Sequence, residues 1–168
     1  MKKFIAIACI LALCLGVLAA CGEPVPTEGN DTPIGLKLVY NGTTIDVTNG
    51  QWEPLRSQVK TADVSLGSSK EYEFTGVTLA KLMELAGATD CTKVIVKSSD
   101  GWTAEVSAAD AKAYDIMITD GYVGGKAIPA DAGGPIKMVF PATEHPELND
   151  TYDMYAWQWY VNEVEFVK

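Results

Sequence analysis

A chain of 168 residues with 22 acidic against 13 basic side chains has room for one well-buried domain and carries a net charge of −9. That balance excludes nucleic acid as a partner and argues against electrostatic attachment to anionic lipid head groups. Of four cysteines, Cys9 and Cys14 fall in an apolar leader and Cys21 directly follows it, so Cys91 alone is left inside the domain and no internal disulfide is expected.

The leader is residues 1–20: Lys2 and Lys3, then an uncharged apolar run from Phe4 to Ala20. The run approaches spanning length, but it lacks a charged stop and ends in small residues, the pattern of a signal peptide. Without Lys2 and Lys3 the balance becomes 11 basic against 22 acidic residues, a net charge of −11. Residues 21–35, from Cys21 through GEPVPTEGNDTPIG, are rich in Pro, Gly, Thr and acids without periodicity and read as a flexible tether. The domain is expected over 36–168.

Within it, Leu36–Tyr40 and Thr44–Thr48 flank Asn41-Gly42, a strong two-residue hairpin signal. Lys60–Leu66 alternates through Ala62, Val64 and Leu66 and reads as a strand. Glu71–Phe74 reads as another, followed by a tight Thr75-Gly76 turn. Thr78 is then placed to cap a helix, with Val77 and Leu82 as a hydrophobic staple. Leu79, Leu82, Met83 and Ala86 give that helix one apolar stripe, and Gly87 can take the left-handed position that ends it.

Lys93–Lys97 reads as a short buried strand turning at Asp100-Gly101 into Trp102–Val106. Ser107 opens a small helix to Ala113, Tyr114–Thr119 reads as strand, and Asp120–Pro135 as a glycine-rich loop. Ile136–Phe140 and Asn162–Val167 complete the strands. Many strands with few short helices indicate an α+β domain with a mixed or mainly antiparallel sheet.

The isolated reactive residues have plain readings beside chemical ones. Cys91 fits a semi-buried thiol and lacks a neighbouring Cys or His for a metal. His145, between Glu144 and Glu147, is a single loop histidine, too little for a conventional zinc site. Asp100, Asp110, Asp115 and Asp120 suit turns and caps. The loop Gly121–Gly134 has no dinucleotide or phosphate-loop spacing. No metal site and no catalytic residue can be named. The cluster Tyr152, Tyr155, Trp157, Trp159 and Tyr160 is less easily assigned. In an extended stretch, Tyr155, Trp157 and Trp159 would share one face, either core or a surface that stacks on a planar ligand or docks a partner.

Two resemblances add to this reading. Leu18-Ala19-Ala20-Cys21 resembles the bacterial lipobox, which implies that Cys21 carries the lipid of an extracytoplasmic, membrane-anchored lipoprotein. The order of Phe74-Thr-Gly-Val-Thr-Leu79, Ala86-Gly87, Ser99-Asp100-Gly101-Trp102, Tyr114–Ile118, Gly124–Pro129, Gly133–Pro141 and Trp157-Gln-Trp159 resembles the molybdopterin-binding domain of the sulfite oxidase family. That resemblance implies the family's α+β fold, with Lys137, Gly133, Gly134 and Trp102 as the residues that would line a cofactor site. It also implies a metal-binding cysteine before the helix. Residues 60–72, which cover that place, contain none, and Arg56 is the chain's single arginine. Two functions follow. One is a binding module with the membrane, through Cys21, and a membrane or surface protein as partners. The other is an oxidoreductase that holds molybdopterin without a cysteine ligand. Convergence of Arg56, Lys126 and Lys137 on the Gly133-Gly134 loop is the feature that separates them.

Overall fold

The computed structural model describes residues 30–168. The expected signal sequence, Cys21 and the first part of the tether lie outside the described residues. Strand β1 (Pro33–Tyr40) starts ahead of Leu36 and pairs with β2 (Thr43–Thr48) in the hairpin expected. Asn41 and Gly42 both take positive φ, 50° and 76°, as a two-residue turn of this hand requires. The end of the tether is fastened to the domain. The carbonyls of Asn30 and Thr32 accept from the N–H groups of Gly50 and Asn49 at 2.7 and 2.9 Å. These donors open a helix the sequence had not revealed, α1 (Asn49–Trp52), where Gln51 Oε1 accepts from the Thr48 N–H at 3.0 Å and Trp52 enters the core.

Strand β3 (Ser57–Ala62) stops short of the expected Leu66. Asp63 leaves the ladder with its side chain fully buried, and Val64–Leu66 is a 3₁₀ turn closed by Gly67 at φ 60°. Strand β4 (Glu71–Thr78) runs straight through Thr75-Gly76 where a turn was expected. Gly76 is there because a neighbouring strand passes too close for a side chain: a Cβ at this position would lie 2.1 Å from the Ile118 carbonyl oxygen. Helix α2 (Leu79–Leu85) is capped as read, Thr78 Oγ1 accepting from the Lys81 N–H at 3.4 Å and Gly87 following at φ 68°.

Strands β5 (Lys93–Ser98) and β6 (Thr103–Ser107) match their expected places, as does α3 (Ala108–Ala113), where Ser107 Oγ accepts from the Asp110 N–H at 3.0 Å. Strand β7 (Met117–Tyr122) begins later than expected and extends into the supposed glycine loop. That region also holds β8 (Lys126–Ala127) and a 3₁₀ turn at Ala130–Ala132. Then come β9 (Lys137–Val139), α4 (Leu148–Thr151), a 3₁₀ turn at Met154–Ala156 and β10 (Val161–Val167).

The α+β class holds, built from two sheets. One has the order β2-β1-β10-β5-β6, parallel only between β1 and β10; the other runs β3-β4-β7-β8, with β9 also paired to β7, all antiparallel. Leu38, Val96 and Val164 of the first sheet, Phe74 and Ile118 of the second and Leu82 of α2 belong to one buried cluster. Each such side chain contributes roughly 1.5–3 kcal/mol by leaving water. The stripe Leu79, Leu82, Met83 faces this core, and Ala86, one turn after Leu82, is partly exposed.

Candidate functional site

The segment between α4 and β10 is not extended, so the expected alternation of its aromatics does not occur. Asp153 Oδ1 accepts from the N–H groups of Tyr155 and Ala156 at 2.9 and 3.3 Å and winds the 3₁₀ turn. Tyr160 then takes φ 52°. These two departures split the cluster. Tyr152 and Trp157 are buried against Phe140, ring centroids 5.0 and 5.6 Å away. Tyr155 is 68% exposed, and Trp159 and Tyr160 are half-buried.

Tyr155 and Trp159 wall a cleft of about 240 Å³ with Trp102, which is 64% exposed in the turn from β5 to β6. Trp157 and Gln158 also line it, as do Ser65, Ser98 and Asp100. The wall is held in place by Gln158: its Nε2 donates to the Tyr155 carbonyl at 2.7 Å and its Oε1 accepts from Ser98 Oγ at 2.8 Å. A second, more polar hollow of about 490 Å³ adjoins it, shares Trp102 and Tyr155, and adds Glu105, Asp150 and Asp153.

Trp159 also belongs to a closed polar corner. Its Nε1 donates to Ser65 Oγ at 2.9 Å, and Ser65 donates to Asp63 Oδ1 at 2.6 Å. Lys137 Nζ, wholly buried, donates to Asp63 Oδ2 at 2.7 Å, Ser65 Oγ at 3.1 Å and the Ala132 carbonyl at 3.1 Å, and lies 5.3 Å from the Trp159 ring centroid. All three ammonium protons are therefore matched. Burial, outweighing Asp63, pulls the Lys137 ammonium below its ordinary pKa. Gly133, at φ 91°, packs on the same ring: a Cβ would stand 2.6 Å from Trp159. A Cβ on Gly134 would lie 1.9 Å from the Ile128 carbonyl oxygen.

Of the four residues expected to line a site, Trp102 alone faces the aromatic cleft; Lys137, Gly133 and Gly134 are packing and ion-pair residues in the corner. Nor do the three basic residues converge. Arg56 binds Asp120 Oδ1 at 2.7 Å and Glu53 Oε1 at 2.8 Å. Trp52 Nε1 donates to the same Asp120, whose carboxyl burial nonetheless pushes above the usual range. Lys126 lines a third hollow, about 540 Å³, with Lys70, Glu71 and Glu73, and this shares no residue with the aromatic cleft.

Cys91 is buried, which raises its thiol pKa, and it lines none of these hollows. His145 Nδ1 lies 3.3 Å from Glu147 and its ring meets Tyr114 edge-on. Among the described residues no three His, Cys, Asp or Glu side chains gather to hold a metal, and no helix is long and apolar enough to cross a membrane. Asp63, Ser65 and Gln158 were not singled out by sequence reasoning. The pointer to the first two was their place in 60–72, where the family resemblance expects a metal-binding cysteine.

The family model for the oxidoreductase molybdopterin binding domain matches residues 42–145. Among solved structures the chain is similar to the sulfane dehydrogenase SoxCD from Paracoccus pantotrophus, at TM-score 0.54 and 13% identity over 79% of this chain. The match spans 37% of that protein's chain, and at this identity it speaks for the fold. No curated protein matches the sequence.

Proposed function

Since the chain belongs to the oxidoreductase molybdopterin binding domain family, we propose that it keeps the family fold as a lipid-anchored, extracytoplasmic binding module. In this reading it takes its ligand in the aromatic cleft and does not perform molybdenum chemistry. Cys21, in its lipobox-like setting, supplies the anchor, and several acyl chains at about 0.8 kcal/mol per buried methylene give lasting attachment.

The observation that carries the reading is the commitment of Lys137, Arg56, Gly133 and Gly134 to contacts within the fold. A soft metal asks for a thiolate, and the phosphate of the cofactor for Arg or Lys forks. Residues 60–72 hold no cysteine; Asp63, just past the end of β3, is closed on Lys137. Lys137 has no free proton to offer, Arg56 is held by two carboxylates, and Gly133 and Gly134 are covered by Trp159 and Ile128. These residues do not fit the cofactor. Trp102 and Tyr155, by contrast, present apolar faces that no other part of the described chain covers.

The test is elemental analysis for molybdenum, together with pterin fluorescence, on the protein purified from its own membrane. Neither signal is expected. Near-stoichiometric molybdenum with pterin would overturn the proposal in favour of an oxidoreductase that holds the cofactor without a cysteine ligand.

A further inference from the structure

We infer that the occupant of the aromatic cleft is a small planar organic cation, an assignment that rests on the binding reading above. The charged lining has one sign. Asp100 lines the cleft, and Glu105, Asp150 and Asp153 line the hollow that shares Trp102 and Tyr155 with it. Among the described residues no Lys, Arg or His lines either one. Glu105 is answered by Lys93 at 2.9 Å, but Asp100, Asp150 and Asp153 enter no ion pair among the described residues. Asp153 uses Oδ1 for the 3₁₀ turn, and Asp100 Oδ1 accepts one long bond, 3.3 Å, from the Trp102 N–H.

Two physical effects then favour positive charge at the same place. Indole and phenol faces carry a negative quadrupole that attracts cations, and a recess lined by one sign of charge concentrates the potential. The excess of acidic residues over the whole chain adds to it. Trp159 shows the first effect internally, with the Lys137 ammonium 5.3 Å from its centroid. An anion would meet carboxylates and no donor fork. The size of the recess, about 240 Å³, suits a single ring system rather than a length of peptide. The ligand class is thus opposite in charge to the phosphate-bearing cofactor of the family.

The experiment is calorimetric titration of the full-length protein, in a non-ionic detergent at mildly alkaline pH, with N-methylquinolinium, neutral quinoline and quinoline-2-carboxylate. The cation should bind about tenfold more tightly than quinoline, and the carboxylate more weakly than either. Added salt should weaken the cation alone. Asp100→Asn combined with Asp150→Asn should narrow the gap between cation and quinoline, leaving quinoline unchanged, and Trp102→Ala should weaken both. Equal binding of cation and quinoline would overturn the charge assignment while the binding reading stood. Failure of all three ligands to bind would overturn both.

Discussion

A single indole ring, Trp159, joins the two regions of this molecule that differ most. In the corner, its N–H meets Ser65, its ring abuts Gly133, and the buried Lys137–Asp63 pair is complete in every hydrogen bond its ammonium can make. In the cleft, Trp102 and Tyr155 stand largely in solvent with acids around them. Both are polar-aromatic assemblies; one is saturated and the other is not. A saturated buried network rigidifies the core around it, whereas the open cleft keeps its aromatic faces in solvent.

The comparison breaks most sharply at Lys137. Lys137→Met should lower stability by about 3–5 kcal/mol in denaturant unfolding, because it strands the Asp63 carboxylate in the interior. A loss below about 1 kcal/mol would mean that water reaches the corner and screens Asp63. Gly133→Ala should cost about 2 kcal/mol or more, from a side chain at positive φ driven into Trp159. It should also shift the tryptophan emission, since the displaced ring belongs to the cleft wall.

A pH dependence isolates the ion pair without moving atoms. With the Lys137 pKa below its unfolded value of 10.5, the unfolded chain binds more protons than the native one between the depressed value and 10.5. Stability should therefore rise with pH across that window in the wild type, relative to Lys137→Met measured alongside. A flat difference between the two curves would show that Asp63 fully offsets burial. The smallest effect is expected on the open side. Trp102→Ala should change stability by less than about 0.5 kcal/mol. A loss of several kcal/mol in thermal unfolding would place Trp102 in the structural half of the comparison.

How much of this was legible in the sequence depended on the range of the interactions. The helix after Thr78 was readable because its cap, its stripe and Gly87 all lie within a few residues. The Asn41-Gly42 hairpin was readable for the same reason. Thr75-Gly76 was misread as a turn because the reason for Gly76 is Ile118 on another strand. The shared face of Tyr155, Trp157 and Trp159 depended on an extended stretch, and Asp153 winds a 3₁₀ turn there instead. Lys137 could be placed in a strand but not in an ion pair, since Asp63 lies across the fold, and Asp63 itself had looked like part of a strand. The cleft was half legible: Trp102 and the aromatic run were noticed, but their meeting depends on the packing of Gln158 against Ser98.

The pairing of β1 with β10 sets the order in which the domain can be completed. The last described strand in chain order is the middle strand of its sheet, seated between β1 and β5. Until Val161–Val167 arrives, the first hairpin and the β5–β6 hairpin each hold an unpaired edge towards the vacant place. A nascent or prematurely stopped chain would carry two exposed edges, a form prone to pair with other chains and open to proteolysis. Closure by β10 thus pairs both edges at once, and truncation before Val161 should leave a product prone to aggregation.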